Sequence, residues 1–224
     1  MDYRHEWKHQ LNYGDFLALR HRLSTVMQRD CHAGIDGTYQ IRSLYFDTPD
    51  DRALREKIDG VNTREKFRIR LYNSDDTFIR LEKKSRRNTL GSKISVPLTR
   101  EETQRIVDGD IKWMRCHKDE LVQELYRKMT CQRLAPRTIV DYRREPFVFS
   151  PGNVRVTLDY DLRTGLSCTD FLNAGCVTVP VPEAMYLLEV KYDNFLPDII
   201  RDLVQLPDRR TGAFSKYAQC RVYG

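Results

Sequence analysis

No run of about 18 apolar residues occurs in the 224-residue sequence, so no stretch has the length to cross a bilayer as a helix. The opening Met1-Asp2-Tyr3-Arg4-His5 lacks the apolar segment of a secretory signal, and a cytoplasmic chain is expected. The six cysteines, Cys31, Cys116, Cys131, Cys168, Cys176 and Cys220, include no C-x-x-C pair, which argues against a zinc site built from paired cysteines. In a reducing compartment they are expected to be free thiols. Neither G-x-x-x-x-G-K-[ST] nor G-x-G-x-x-G is present, so a phosphate cradle made of backbone amides is excluded. No linker and no internal repeat divides the chain, and a single domain over residues 1–224 is expected.

What is abundant is charge, and it leans to one sign. Lys and Arg number 38 against 32 Asp and Glu, a formal net charge of +6, which suggests an anionic partner. A hydrophobic content of 40% supports a packed core.

The periodicities give a coarse map. Strands are expected over residues 3–11, 40–47, 66–72, 78–84, 93–98, 137–142, 154–161 and 186–192. Helices are expected over 15–27, 52–57, 118–133, 198–205 and 213–220. Thr99 and Glu102 have the spacing of a capping box for a further helix to about Asp108. Residues 73–76 read as a hairpin turn and 86–91 as a basic loop, while Pro97 is expected to close one strand and Pro136 to end the 118–133 region. Residues 164–184, rich in Gly, Pro and Thr, read as a loop with room for one more strand.

One design recurs along these strands. In 66–72, Phe67, Ile69 and Leu71 alternate with Lys66, Arg68, Arg70 and Tyr72. In 78–84, Ile79 and Leu81 alternate with Arg80, Glu82 and Lys84. Val154, Val156 and Leu158 alternate with Arg155, Thr157 and Asp159, and Leu188 and Val190 with Glu189 and Lys191. Arg42 lies on the strand before Asp47, and Glu6 and Lys8 on the first strand. Such strands fit either a sheet with one wet face or a charged interior with the apolar face packed outward against helices. The choice of polar residue favours the second. Two like charges about 4 Å apart repel by roughly 4 kcal/mol at an effective dielectric of 20, and Arg68, Arg70, Arg80 and Lys84 sit close on paired strands. An anion would offset that repulsion, and arginine forks suit phosphate. Glu6, Glu82, Asp159 and Glu189 interrupt the basic face. Each reads either as an ion-pair partner that orients a cation or as an oxygen ligand to Mg²⁺ or Mn²⁺, Glu189 being the best candidate for the latter.

Taken in order, Arg4-His5-Glu6-Trp7-Lys8, Ile41-Arg42-Ser43-Leu44-Tyr45-Phe46-Asp47, Phe67-Arg68-Ile69-Arg70-Leu71-Tyr72, Leu81-Glu82-Lys83-Lys84, Val154-Arg155-Val156-Thr157-Leu158-Asp159, Leu188-Glu189-Val190-Lys191 and Phe214-Ser215-Lys216-Tyr217 resemble the VTC-type polyphosphate polymerase domain, a branch of the triphosphate tunnel metalloenzymes. The resemblance implies an α+β fold: an antiparallel eight-stranded β-barrel tunnel with a charged interior and helices packed outside. It implies that Lys8, Arg68, Arg70, Lys84, Arg143, Arg155 and Lys216 hold the triphosphate of ATP and the growing polyphosphate, with Arg42, Arg80, Lys93 and Lys191 as further contacts. It implies a metal at Glu189, with Glu6, Glu82 and Asp159 as further ligand candidates, and Mn²⁺ or Mg²⁺ as the ion. The activity implied is transfer of the γ-phosphate of ATP to inorganic polyphosphate or pyrophosphate. The alternatives are a triphosphatase in the same tunnel and a non-catalytic polyphosphate- or nucleotide-binding module. The basic strands lack interleaved aromatics for base stacking, so no nucleic-acid partner is expected. Arg4 stands where the wider superfamily has its first glutamate, which weakens a two-carboxylate metal site on the first strand. The sequence looks like the stand-alone form, without sensor or membrane segments.

Overall fold

The alternation of charged and apolar residues holds over strands longer than the motifs that revealed it. A computed structural model describes residues 5–88, 90–181, 186–206 and 214–222. Its strands are β1 (His5–Leu11), β2 (Gln28–Arg29), β3 (Tyr39–Asp47), β4 (Thr63–Tyr72), β5 (Asp75–Arg87), β6 (Leu90–Leu98), β7 (Ala135–Phe149), β8 (Val154–Thr164), β9 (Val179–Pro180) and β10 (Tyr186–Tyr192). Its helices are α1 (Tyr13–Val26), α2 (Arg52–Ile58), α3 (Arg100–Val107), α4 (Glu120–Gln132), α5 (Asp198–Val204) and α6 (Lys216–Arg221). The class is α+β, and every strand pair of known register is antiparallel. No helix among the described residues is long and apolar enough to cross a membrane.

The chain falls into two compact units. The first comprises the described parts of residues 1–40, 142–162 and 181–214, and the second those of 41–141, 163–180 and 215–224. In the first, β10 lies between β1 and β8, with Lys8 opposite Glu189 and Glu189 opposite Thr157. The apolar faces of these strands, Leu11, Val154, Val156, Leu158, Leu188 and Val190, bury against Phe16, Leu19 and Leu23 of α1 and Ile200 and Val204 of α5. Burying a side chain of this size stabilises by about 1.5–3 kcal/mol. The Asn12 side chain caps α1 by accepting from the Asp15 amide at 2.8 Å.

In the second unit, β3, β4, β5 and β6 are neighbours in that order. Their apolar face, including Leu44, Phe46, Phe67, Ile69, Leu71, Ile79, Leu81 and Leu98, packs on Ile106 of α3 and Leu121, Val122 and Leu125 of α4. The expected Thr99–Glu102 capping box is present in full. Asp47 ties α2 to β3, accepting from the amides of Ala53 at 2.8 Å and Leu54 at 3.1 Å.

Several boundaries differ from the sequence reading. The β4–β5 turn is only Asn73-Ser74, both at positive φ (51° and 57°), as a two-residue hairpin of type I′ demands. The basic loop shrinks to the turn around Asn88, and Gly91 belongs to β6. At its other end β6 stops at Leu98, as read, with Pro97 next to last on the last strand of its row, where a missing donor is tolerated. Pro136 is the second residue of β7 rather than a terminator, and β7 continues seven residues past Tyr142. The short β9 occupies the region left open for one more strand. Arg4 and Ala213 lie outside the described residues.

Candidate functional site

Register converts the alternation of the second unit into rows of side chains on one face. Across β4, β5 and β6 the rows read Arg70–Arg80–Pro97, Arg68–Glu82–Ser95, Lys66–Lys84–Lys93 and Arg64–Arg86–Gly91. Ser43 and Tyr45 of β3 extend the first two rows, opposite Arg70 and Arg68. The β4–β6 rows of this face thus carry eight cations, Arg64, Lys66, Arg68, Arg70, Arg80, Lys84, Arg86 and Lys93, and a single carboxylate, Glu82. Like charges directly opposite each other on paired strands are destabilising, and Lys66–Lys84–Lys93 places three in line. Arg70 lies six positions after Arg64, a ladder of about 20 Å at strand rise. At the Arg64 end it borders a cavity of about 410 Å³ that Arg52, Arg87 and Lys128 also line.

Glu82 organises the middle of this face. It accepts from Arg68 Nε at 2.7 Å and pairs with Lys93 Nζ at 2.5 Å. Burial pushes its carboxyl up, but the charges of Arg68, Arg70 and Lys93 prevail and bring it to about 2. Arg70 Nε donates to Ser43 Oγ and Arg80 Nε to Ser95 Oγ, each at 3.0 Å. Each fork is therefore aimed from one side by a neutral hydroxyl. The Tyr45 hydroxyl accepts from Arg68 Nη1 at 2.8 Å. Burial would raise that phenol, but Arg68, Lys66 and Arg70 pull it down to about 7. Tyr217 stacks on Tyr45 at 5.0 Å and donates to Asp47 at 2.6 Å.

The charged face of the first unit is balanced rather than cationic. Lys8 Nζ lies 3.2 Å from Glu6 and 3.7 Å from Glu189, and Lys191 Nζ lies 3.6 Å and 3.0 Å from the same two carboxylates. Arg144 donates to both oxygens of Asp159, at 2.6 and 2.8 Å, and to Glu189 at 3.2 Å. Burial disfavours the charged forms throughout, yet pairing wins: Glu189 is held well below the usual carboxylate range by Glu6, Lys191, Arg144 and Lys8, and Lys8 is raised by Glu189 and Glu6.

The four proposed metal ligands do not fit an ion equally. Asp159 spends both oxygens on Arg144, and Glu82 is clamped by Arg68 and Lys93 in the second unit. Glu6 and Glu189 share two ammonium partners, Lys8 and Lys191. That oxygen donor set suits a hard divalent cation completed by phosphate oxygens and water. Among the described residues, three ligand atoms converge within 4.8 Å at Asp30-Cys31-His32, where Arg155 already holds Asp30 at 2.8 Å. The run His5-Glu6-Trp7-Lys8-His9 spells the zinc-binding HExxH, which the sequence reading passed over. On strand β1, unlike on a helix, its histidines stand about 13 Å apart and cannot share an ion.

Two expected phosphate contacts lie elsewhere. Arg42 alternates with Ser43 and Tyr45 and points to the opposite face, where Asp141 takes it bidentately and the Asn173 carbonyl accepts at 2.7 Å. Arg143 is exposed and its charge bears on Tyr160 and Asp36, whereas its neighbour Arg144 meets Asp159 and Glu189. The signal was present: Arg143 shares its alternation with the core residue Ile139, and Arg144 with Tyr142. Arg155 donates to the Tyr39 hydroxyl at 2.8 Å, and half-buried Lys216 opens α6 beside Tyr217. Lys66, Arg64, Arg86 and Tyr45, which the sequence reading left out of the site, were legible from the same alternation once the strands were allowed to be longer.

The profile of the family described as the VTC domain matches residues 3–223. No curated protein matches this chain in sequence. Among solved structures, the Hippeastrum protein HpAC1, a candidate adenylyl cyclase with a dominant triphosphatase activity, superimposes with a TM-score of 0.58 at 15% identity, over 99% of this chain and 96% of its own. A candidate adenylate cyclase from Bacillus halodurans superimposes with a TM-score of 0.52 at 14% identity, over 85% of this chain and 80% of its own. At these identities the likeness is one of fold.

Proposed function

Because this chain belongs to the VTC domain family, we propose that it is a metal-dependent polyphosphate polymerase of the cytoplasm, acting as a single functional domain that moves the γ-phosphate of ATP onto inorganic polyphosphate or pyrophosphate. The observation that carries this reading is the face with eight cations and one carboxylate. So lopsided a surface is stable chiefly with a polyanion on it, and a ladder of about 20 Å has room for more phosphates than one nucleotide brings.

Arg68 and Arg70, each aimed by Tyr45 or Ser43, bind equatorial phosphoryl oxygens and stabilise the charge that spreads over them during transfer. Lys66, Lys84 and Lys93 hold the adjoining stretch of phosphate chain as point charges. Arg80 and Lys216 supply further positive charge in the second unit, and Lys191 and Arg155 in the first. A divalent Mn²⁺ or Mg²⁺ ion would be held by Glu189 and Glu6, and when bound supplies neutralisation of phosphate oxygens. The nucleophile is a phosphate terminus that is already ionised, so positioning in line is the main requirement and no general base is needed.

A hydrolytic reading has one specific support, the shared fold with a Hippeastrum protein of dominant triphosphatase activity. Single-site variants test the assignment. Arg68→Ala is expected to lower ATP turnover by at least 100-fold while circular dichroism stays native. Full turnover in a folded Arg68→Ala protein would overturn it.

A further inference from the structure

Residues 165–178 form a loop that is firmly seated on the second unit. The Gly165 amide donates to Ile139 O at 2.8 Å, and a Cβ at Gly165 would come within 2.9 Å of the Ile139 side chain. Phe171 is buried in the core, and the loop's far end is held by Arg163, which donates to Thr178 Oγ1 at 3.0 Å and to Thr178 O at 2.6 Å. In the middle, Arg42 fixes the Asn173 carbonyl at 2.7 Å, and the Cys176 amide returns to the same carbonyl at 3.0 Å. These anchors bring two thiols together: Cys168 Sγ and Cys176 Sγ are 3.0 Å apart, both half-buried at the edge of the core. Cys31, Cys116 and Cys131 are exposed, and Cys220 is buried with its own partners, Arg163 O and Thr164.

We infer that Cys168 and Cys176 are an oxidation site of this protein, closing to a disulfide when a peroxide or a small-molecule disulfide reaches the loop. The phosphate chemistry proposed above does not use either sulfur. The steps balance as follows. The Cys168 thiol loses its proton, the thiolate attacks the O–O bond of a peroxide and becomes a sulfenic acid, and the hydroxide released takes up that proton as one water. The Cys176 sulfur then attacks Cys168, the S–O bond breaks, and the hydroxide leaves with the Cys176 proton as a second water. Two thiols lose two hydrogens and two electrons, and the peroxide is reduced to two waters. Burial and the contact with Cys168 push the Cys176 thiol up to about 12, so Cys176 is not the first sulfur to react. The product staples nine residues, 168–176, that carry the carbonyl held by Arg42.

The test is peptide mapping of the intact chain. Trypsin releases residues 164–191 as one peptide that holds Cys168 and Cys176 and no other cysteine. After hydrogen peroxide or oxidised glutathione, and alkylation in denaturant, this peptide is expected two hydrogens lighter and unalkylated, and dithiothreitol restores two alkylation sites. The oxidised protein is expected to melt about 5 to 10 °C higher, the shift for closing a loop of this length. Cys168→Ser should abolish both effects and leave Cys176 alkylatable. Two alkylated cysteines after oxidant, or separate glutathione adducts on each, would overturn the proposal. Mapping the wild type decides the matter even if the variant does not fold.

Discussion

Arg68 Nη2 stands 2.6 Å from Glu82 Oε2, a contact between one cation of the β4–β6 face and the single carboxylate in its rows. The pair fixes the guanidinium plane, and Lys93 on the other Glu82 oxygen fixes the carboxylate. Glu82 is 3% exposed, so this geometry is made in a low-dielectric setting where partners cannot be lost cheaply.

The depressed Glu82 carboxyl makes stability pH-dependent with a defined sign. Its folded value, about 2, lies below the roughly 4.3 of an unfolded glutamate. The stabilisation is therefore complete above about pH 5 and disappears as the pH falls toward 2. The difference corresponds to about 3 kcal/mol. Urea denaturation at pH 6 and pH 3 should show a smaller pH dependence for Glu82→Gln than for wild type. Equal slopes for the two proteins would refute this role.

Tyr45 should titrate near neutrality. Its folded value of about 7 lies below the usual 10 for tyrosine, so the folded state releases the proton first and stability rises with pH between 7 and 10. Tyrosinate absorbance should show one group with a midpoint near 7 that is missing in Tyr45→Phe. If Arg68 is aimed through this hydroxyl, Tyr45→Phe should also flatten the pH profile of turnover over the same interval. An unchanged absorbance titration would remove Tyr45 from the account.

Arg143 and Arg144 should behave oppositely. Arg144→Ala removes the bidentate partner of buried Asp159 and leaves Glu189 to Lys8 and Lys191, at a cost of about 3–5 kcal/mol, and should also impair activity. Arg143 is exposed, so Arg143→Ala should stay within about 1 kcal/mol of wild type and keep its turnover. Thermal melts and ATP turnover of the two variants decide between neighbouring arginines. The reverse ranking would put the face assignment of β7 in error.

Arg42 gives a related contrast. It is buried at 6% exposure with Asp141 on the face away from Arg68. Arg42→Ala should destabilise by about 3–5 kcal/mol. At a temperature where the variant is folded, its KM for ATP should be that of wild type. A raised KM with unchanged stability would return Arg42 to the phosphate site.

Much of this was legible in the residues themselves. Period-two alternation identified the charged face, and Arg68, Arg70, Arg80, Glu82, Lys84 and Lys93 all lie on it. The capping box of α3 and the apolar stripe of α4 were equally plain, because both depend on local spacing. Arg42 lies off that face for a physical reason. Alternation gives two faces but not which is which, and a basic residue such as Arg42 sits on the core face when a buried Asp141 accepts it. Strand ends were underestimated at Pro136 and Gly91, because strand pairing overrode local breakers. The split of the carboxylates, Glu6 with Glu189 but Glu82 apart, depended on register that no single strand encodes.

The central claim is that the cationic face builds a phosphate chain rather than merely binding one. The most direct measurement is to incubate the purified protein with ATP and Mn²⁺ and separate the products on a gel stained for polyphosphate. A ladder of long chains with an equivalent release of ADP is the predicted result. Free phosphate without a ladder, or bound ATP that is never turned over, would contradict it.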